Sequence, residues 1–450
     1  MATEILSYFL YPLVERQQQR QILPKLTIMH KFARLSLEER EQANRQHLCE
    51  TVMRAAQEVP YYRDLFRTLG FEPEKLRDDS RYLKDLPYLT KEIVREQGDL
   101  LLSDKVDKSS LHLRKTGGST GPSTLIYYSQ EALDWTSAAN LLVLEWSGKR
   151  RYTKEVHLSS EFPEPLPRRE QLRETIKCLA LNRVNITTDS FDPDALNAIL
   201  EKLRQAKPYS IQGHPSTLYA LAIHAKTHAV PWATNLFRVF ESTGEVLDDR
   251  QRQIVSEVFN CDVYNRYGNA EFGVVAHTEH PQSANLKILD YLIWPETRET
   301  EDGLQEIVLT GLMNPAMPLI RYRTGDLGAL IQVDGEFHIT NIIGRVHDLV
   351  AIGDRRYPTH YIQDLLDRLG GIDEFQLEQI TPQRCLLRLV PRAGVDAASI
   401  AQRVQAWWGD NVEIEIVSFE ALKRVGWRSK FRHLVNMSTP EDASTETSTA

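Results

Sequence analysis

The sequence predicts an α/β protein in two parts: a large layered N-terminal domain followed by a small α+β C-terminal domain. Three observations carry this. A chain of 450 residues exceeds what one hydrophobic core comfortably serves. From about residue 110 to 310, short β-like runs alternate with helical patterns, which is the signature of a layered α/β domain. Near Gly344 the character changes to a compact succession of helix, strands, helix and strand. The domains read as 1–344 and 345–437, with a polar tail at 438–450 that is too poor in apolar residues to fold.

The elements follow in order. Ser36 with Glu39 three residues on makes a capping box, so a helix starts there and runs to Val59-Pro60. Pro60-Tyr-Tyr-Arg63 opens a second helix, and Leu86-Pro-Tyr-Leu-Thr-Lys91 is a turn into a third. Leu111–Leu113 and Leu125–Tyr128 read as strands around a Gly/Ser/Thr loop. Helices are expected at Glu131–Trp146, Phe191–Gln205 and Pro215–His228. Strands are expected at Tyr209–Gln212, Arg238–Glu241, Asp262–Tyr267 and Glu306–Thr310. In the C-terminal part, His360–Leu369 and Ala397–Trp408 are helical, while Phe375–Ile380, Cys385–Pro391 and Val412–Val417 are strands.

Composition excludes several functions. With 54 Lys and Arg against 62 Asp and Glu, the net charge of −8 suits neither DNA nor RNA as a partner. No apolar run is long enough to make a transmembrane segment. Ile5–Val14 is apolar without a basic stretch before it; it fits a helix docked on the protein, with contact to a membrane surface as the sharper alternative. Cys49, Cys178, Cys261 and Cys385 form no CxxC pair, in keeping with a cytoplasmic location.

The most informative stretch is Lys115-Thr-Gly-Gly-Ser-Thr-Gly-Pro-Ser-Thr124. Its glycines permit close backbone approach, and its hydroxyls and amides can surround a phosphate; a solvated hairpin loop is the plain alternative. Pro122 after Gly121 breaks the Walker A pattern. Gly117, Ser119 and Gly121 satisfy the letters of a nucleophile elbow, but a β-like run follows where that motif needs a helix. Tyr267-Gly-Asn-Ala-Glu271 offers an aromatic ring and a carboxylate at a strand end. Arg321-Tyr-Arg-Thr-Gly-Asp326 puts a carboxylate in what reads as a tight turn, and Gly344-Arg-Val-His-Asp348 sits at the composition change.

In order and spacing these motifs, closed by Gly426-x-x-x-Lys430-x-Arg432, resemble the acyl-adenylate-forming (ANL) superfamily. The segments Leu35–Glu39, Val59–Arg63, Leu86–Lys91, Lys207–Ser216 and Ser242–Glu245 resemble its phenylacetate–CoA ligase and CapK-like branch. That resemblance implies an ATP-dependent ligase, AMP-forming, that joins a small carboxylic acid to an acceptor through an acyl-AMP. The acceptor would be CoA, a carrier-protein thiol or an amine in a surface-polysaccharide pathway. An adenylyltransferase that stops at the AMP adduct, or a non-catalytic nucleotide binder, are the alternatives. Thr116, Gly117, Ser119, Thr120 and Gly121 would hold the phosphates of ATP; Gly244, Glu245 and Tyr267 would line the adenine pocket. Asp326 would take the ribose, Glu271 would bind Mg2+, and Arg345 and Lys430 would serve catalysis. His347 stands where the family's acidic hinge residue is usual, and His214 lies in the segment that borders the acid pocket. Cys261, His277, Glu279 and His280 form the densest group with metal-ligand chemistry.

Overall fold

The computed structural model describes residues 2–115, 124–160, 167–188, 193–345, 349–353, 355–358, 362, 366, 369, 371–392, 394–418, 421–425, 430–431 and 433–435. They group into two compact units. The first comprises residues 1–159, 163–188 and 193–342, and the second is formed chiefly by residues from Ile343 on.

The first unit opens with helices α1 (Ala2–Gln17), α2 (Ile22–Phe32), α3 (Leu37–Glu58), α4 (Pro60–Leu69) and α5 (Lys91–Gln97). Their starts obey capping chemistry. Ser36 Oγ accepts from Glu39 N at 3.3 Å while the Glu39 carboxylate accepts from Ser36 N at 2.9 Å, a pairing worth about 1 kcal/mol. Pro60 occupies the first turn of α4, where its missing N–H costs nothing. Tyr62 on α4 is fully buried; its hydroxyl donates to Pro318 O at 3.0 Å and accepts from Ile320 N at 3.1 Å, binding the helical layer to the irregular segment just before Tyr322.

A hairpin of β1 (His112–Lys115) and β2 (Leu125–Tyr128) then leads through α6 (Gln130–Trp146) into the sheet region. Next come β3 (Glu155–Ser160), α7 (Arg168–Leu181), β4 (Arg183–Thr188), α8 (Pro193–Ala206), β5 (Ser210–Gly213), α9 (Pro215–Thr227), β6 (Val239–Ser242), α10 (Asp249–Phe259) and β7 (Asp262–Asn269). Six further strands follow: β8 (Gly273–His277), β9 (Leu286–Ile288), β10 (Ile293–Glu299), β11 (Gln305–Gly311), β12 (Tyr322–Val333) and β13 (Glu336–Arg345). All eleven strands from β3 to β13 share one sheet, ordered β10-β11-β12-β13-β9-β8-β7-β6-β5-β3-β4. Strands β3, β5, β6 and β7 pair in parallel, and their interior residues (Val156, Ile211, Phe240, Val263) are buried as strands covered on both faces require. From β7 onward the pairing to β8, β9 and beyond is antiparallel.

The stretch from 149 to 190, without assigned elements in the sequence reading, contains β3, α7 and β4. Helix α7 gave no amphipathic signal pointing at a core because only Ala180 of its 14 residues is buried. The predicted turn at Arg321–Asp326 is corrected: these residues lie in and just before the 12-residue strand β12. Gly325, at φ +77°, makes a bulge there, where β12 gains residues relative to β11.

In the second unit, β14 (Leu349–Ile352) pairs with β15 (Arg355–Pro358). The strands β16 (Ile372–Thr381), β17 (Arg384–Pro391), β18 (Val412–Ile416) and the short β21 (Leu434–Val435) form a sheet ordered β18-β17-β16-β21. Helix α11 (Ala397–Trp408) buries Ile400 and Val404 in the core with Leu377, Leu387 and Val412. The two-residue strands β19 (Arg424–Val425) and β20 (Lys430–Phe431) pair antiparallel, with Val425 opposite Lys430. Ile362, Leu366 and Leu369 are helical, within the predicted His360–Leu369 helix. The predicted polar tail lies outside the described residues.

Candidate active site

The parallel strands determine where a ligand can sit. The chain runs from β3 outward to β4, then crosses back past β3 to β5, β6 and β7. In open α/β sheets, ligands bind beyond the carboxyl ends of the strands at such a reversal. The loops leaving β5 and β6 at that edge carry His214 and Gly244-Glu245.

His214 and Thr243 tie these two loops together. The carbonyl of Thr243 can only accept, so His214 Nδ1 carries the hydrogen of their 2.9 Å bond. Glu245 Oε2 accepts from Ser216 N, in the first turn of α9, at 3.2 Å, a favourable position for a carboxylate. Gly244, at φ +83°, lies between them in the left-handed region. Around this edge Glu245 Oε1, Ser216 Oγ and Ser242 Oγ are buried with no hydrogen-bond partner among the described residues. Orphaned polar atoms cost about 1–3 kcal/mol each, so the edge is built to meet a polar ligand or ordered water.

Tyr267 and Glu271 come from the hairpin between β7 and β8. Gly268 makes it possible: a Cβ there would lie 2.3 Å from the Gly273 carbonyl oxygen. Asn269 Oδ1 accepts from Phe272 N at 3.0 Å and closes the turn. Tyr267 donates its hydroxyl to Asp326 Oδ2 at 2.7 Å, and Tyr322 donates to Glu271 Oε1 at 2.8 Å. Residues 267–271 and 322–326, far apart in sequence, are thereby joined by two reciprocal bonds. Burial first, and the Asp326 carboxylate second, push the Tyr267 phenol well above its ordinary range, so it remains a donor. The bulge at Gly325 helps aim Asp326, whose amide bonds Thr324 Oγ1 at 3.0 Å.

The flanking segments explain why this strand is held so firmly. Leu89 N donates to Arg321 O at 3.0 Å and Arg323 N to Leu89 O at 2.9 Å, so the Leu86–Lys91 segment acts as an extra edge for Tyr322. Arg321 itself is held at φ +52°, a strained value for a side chain of its size. Two bonds to Glu296, at 3.0 and 3.2 Å, and contacts with Lys84 O and Leu86 O fix it there.

Tyr128, at the end of β2, donates to Ala270 O at 2.9 Å, and the Arg114 guanidinium lies 4.7 Å from its ring. The β1–β2 hairpin therefore reaches the Glu271 turn. Thr116, Gly117, Ser119, Thr120 and Gly121 lie outside the described residues, but both strands flanking them are described. Because Leu125–Tyr128 pairs antiparallel with β1, the strand–turn–helix geometry of a nucleophile elbow is ruled out. Tyr128, Tyr322, Ser216 and Arg114 were not singled out from the sequence. Tyr322 stood inside a quoted motif, and only its partner reveals its use.

The second unit holds the remaining residues. Arg345 ends β13 and Lys430 begins β20; their side chains lie outside the described residues, as does His347. For Mg2+, the fit is that of a single carboxylate. Glu271 is buried, and Tyr322 orients one of its oxygens, which suits a cation held mainly by phosphates and water. Among the described residues, no group of three or more His, Cys, Asp and Glu is gathered.

The Cys261/His277/Glu279/His280 group is dispersed. His277 is fully buried, with Nε2 2.8 Å from Glu241 Oε2 and Nδ1 2.6 Å from Thr278 O, so both ring nitrogens are engaged. Burial alone would raise the Glu241 carboxyl; pairing with His277 more than offsets this and holds it below the usual carboxylate range. Burial pushes the Cys261 thiol up to about 12, away from the thiolate that metals need. Glu279 pairs with Lys287 at 3.0 Å, and His280 is exposed.

No family model matches the chain. It is 24% identical to protein CapK of Staphylococcus aureus over 287 residues, 62% of each chain, so it spans less than two thirds of that relative. It is 22% identical to phenylacetate–coenzyme A ligase of Pseudomonas putida over 438 residues, covering 89% of this chain and 97% of the other. The fold matches a crystal structure of 2-hydroxyisobutyryl-CoA ligase with a TM-score of 0.69 at 18% identity, over 91% of this chain and 92% of that one. The chain is thus similar in sequence to CapK and to the phenylacetate–CoA ligases, in keeping with the resemblance its motifs carry, and it shares the fold of 2-hydroxyisobutyryl-CoA ligase.

Proposed function

We propose that this protein is an ATP-dependent, AMP-forming ligase that activates a small carboxylic acid and passes its acyl group to a thiol, that of CoA being the acceptor the relatives favour. The observation that carries this reading is the pair of bonds Tyr267–Asp326 and Glu271–Tyr322. They bring an aromatic ring, a diol-binding carboxylate and a metal-binding carboxylate to one edge of the sheet.

In the first step a carboxylate oxygen of the acid attacks the α-phosphorus of ATP. A P–O bond forms, the bond to the β-phosphate breaks and pyrophosphate leaves with its electron pair. Tyr267 and Gly244-Glu245 border the base, Asp326 accepts from the ribose hydroxyls, and the 116–121 loop receives the departing phosphates. Glu271 would hold Mg2+, which would supply charge neutralisation at the phosphates. Lys430, with Arg345, offsets the repulsion between the acid and the α-phosphate as charge builds. In the second step a thiolate attacks the acyl carbon and AMP departs. The domain from 345 to 437 moves about His347 between the two steps, and His214 borders the acid.

The test is paired single-turnover kinetics. Lys430→Ala should slow acid-dependent pyrophosphate release by about 10²–10³, roughly 2.7–4 kcal/mol, with ATP affinity changed only a few-fold. The variant should still transfer a supplied acyl-AMP to the thiol. Wild-type speed in the first half-reaction removes Lys430 from the site. An absence of pyrophosphate release with every acid in a panel removes the ligase reading.

A further inference from the structure

Helix α1 leaves an apolar stripe uncovered. Leu10, Tyr11 and Val14 are half-buried and its fully buried positions are Ser7 and Glu15, while Ile5, Phe9 and Leu13, one turn apart, face outward, with Phe9 and Leu13 each 63% exposed. Hydrogen bonds hold the inward side: Ser7 Oγ donates to Ala180 O of α7, and Glu15 Oε1 accepts from Leu23 N at 2.7 Å. Helix α7, packed beside it, likewise exposes Leu172, Ile176 and Leu179 on one stripe. Neighbouring helices that both turn apolar stripes to solvent mark an interaction surface.

Charge selects the partner. In a chain of net charge −8, α7 carries exposed Arg168 and Arg169 one turn before Leu172, and Arg173 beside it. Arg150 and Arg151 lie in the loop against α1: Arg150 donates to the Tyr152 hydroxyl, the Tyr152 ring meets Tyr8 edge-on at 5.9 Å, and the Arg151 guanidinium lies 5.9 Å from the Tyr11 ring. A second copy related by a two-fold axis would bring two faces with the same excess of arginine together, an unfavourable match. An anionic lipid surface accepts both features, with arginines at the headgroups and Phe9, Leu13 and Leu172 among the upper acyl carbons.

We propose that the α1–α7 face docks the protein on membranes rich in anionic phospholipid. This does not depend on the ligase reading. The test is co-sedimentation of the intact chain with phosphatidylcholine vesicles, with and without phosphatidylglycerol. Wild type should bind the mixed vesicles and release them as salt rises. Phe9→Ser with Leu13→Ser should weaken binding by about tenfold or more. Arg168→Gln and Arg173→Gln should each weaken binding to the mixed vesicles by roughly fivefold. Thermal melting of the variants should match wild type, since every altered side chain is exposed. Failure of wild type to sediment with the mixed vesicles, or binding that neither set of variants reduces, overturns the proposal. In the first case, a dimer dissolved by Phe9→Ser with Leu13→Ser would assign the face to a second copy.

Discussion

Two carboxylates, Glu306 within the large sheet and the half-buried Glu245 just past one of its strands, have opposite surroundings. Glu306, on the antiparallel side, has both oxygens engaged: Arg298 and Arg323 each donate at 2.9 Å, and Gly325 N donates at 3.3 Å. Glu245, past the end of parallel β6, has one oxygen on Ser216 N and the other buried without a partner among the described residues. A buried charge that is fully paired serves the fold, whereas one left half-satisfied at a strand end is kept for something outside it. The same distinction divides the Arg321–Asp326 motif. Arg321 and Arg323 are held by Glu296 and Glu306 and serve structure, while Tyr322 and Asp326 turn toward the hairpin of β7 and β8.

Substitutions can break this comparison. The largest stability effect should come from Glu306→Ala, which leaves Arg298 and Arg323 without their shared anion. Both arginines reach water, so the loss should be about 3 kcal/mol, the low end for a broken buried pair. Denaturant titration measures it, and an unchanged midpoint would show that the pairing is not structural.

Asp326→Ala comes next and should act mainly on nucleotide binding. Two ribose hydroxyls would lose a charged acceptor, at about 1.5–3 kcal/mol in ATP affinity. Calorimetric titration with ATP reads this directly, and unchanged affinity would separate Asp326 from the site. The smallest stability effect should follow Glu245→Gln, which keeps an acceptor for Ser216 N. Its unfolding free energy should stay within about 0.5 kcal/mol of wild type while ATP binding weakens. A stability loss as large as that of Glu306→Ala would erase the distinction between the two carboxylates.

Much of the architecture could be read locally. The Ser36–Glu39 capping box and Pro60 at a helix start depend on neighbouring residues, and they appear in the structure where the sequence predicts them; the strands expected at Phe375–Ile380 and Cys385–Pro391 lie within β16 and β17. Helix α7 and strand β3 were missed because α7 buries almost nothing on the protein's own core, so its apolar stripe pointed to no interior. The turn expected at Gly325 became a bulge, because a glycine with positive φ serves either and only the neighbouring strand β11 decides which.

The candidate site divides the same way. The family resemblance, carried by the order of short motifs, singled out Tyr267, Glu271, Asp326, Gly244 and Glu245. It could not reveal that Tyr267 bonds Asp326, that Tyr322 orients Glu271, or that Leu89 braces the strand between them. Nor could it show that α1 buries Ser7 and Glu15 while Phe9 and Leu13 stay exposed. The sequence by itself determined the caps, the strand and helix periods and the residue types at the site, because these are set by interactions within a few residues. The tertiary structure alone decided which carboxylates are saturated and which remain open, because their partners lie tens to hundreds of residues away and only packing brings them within hydrogen-bond reach.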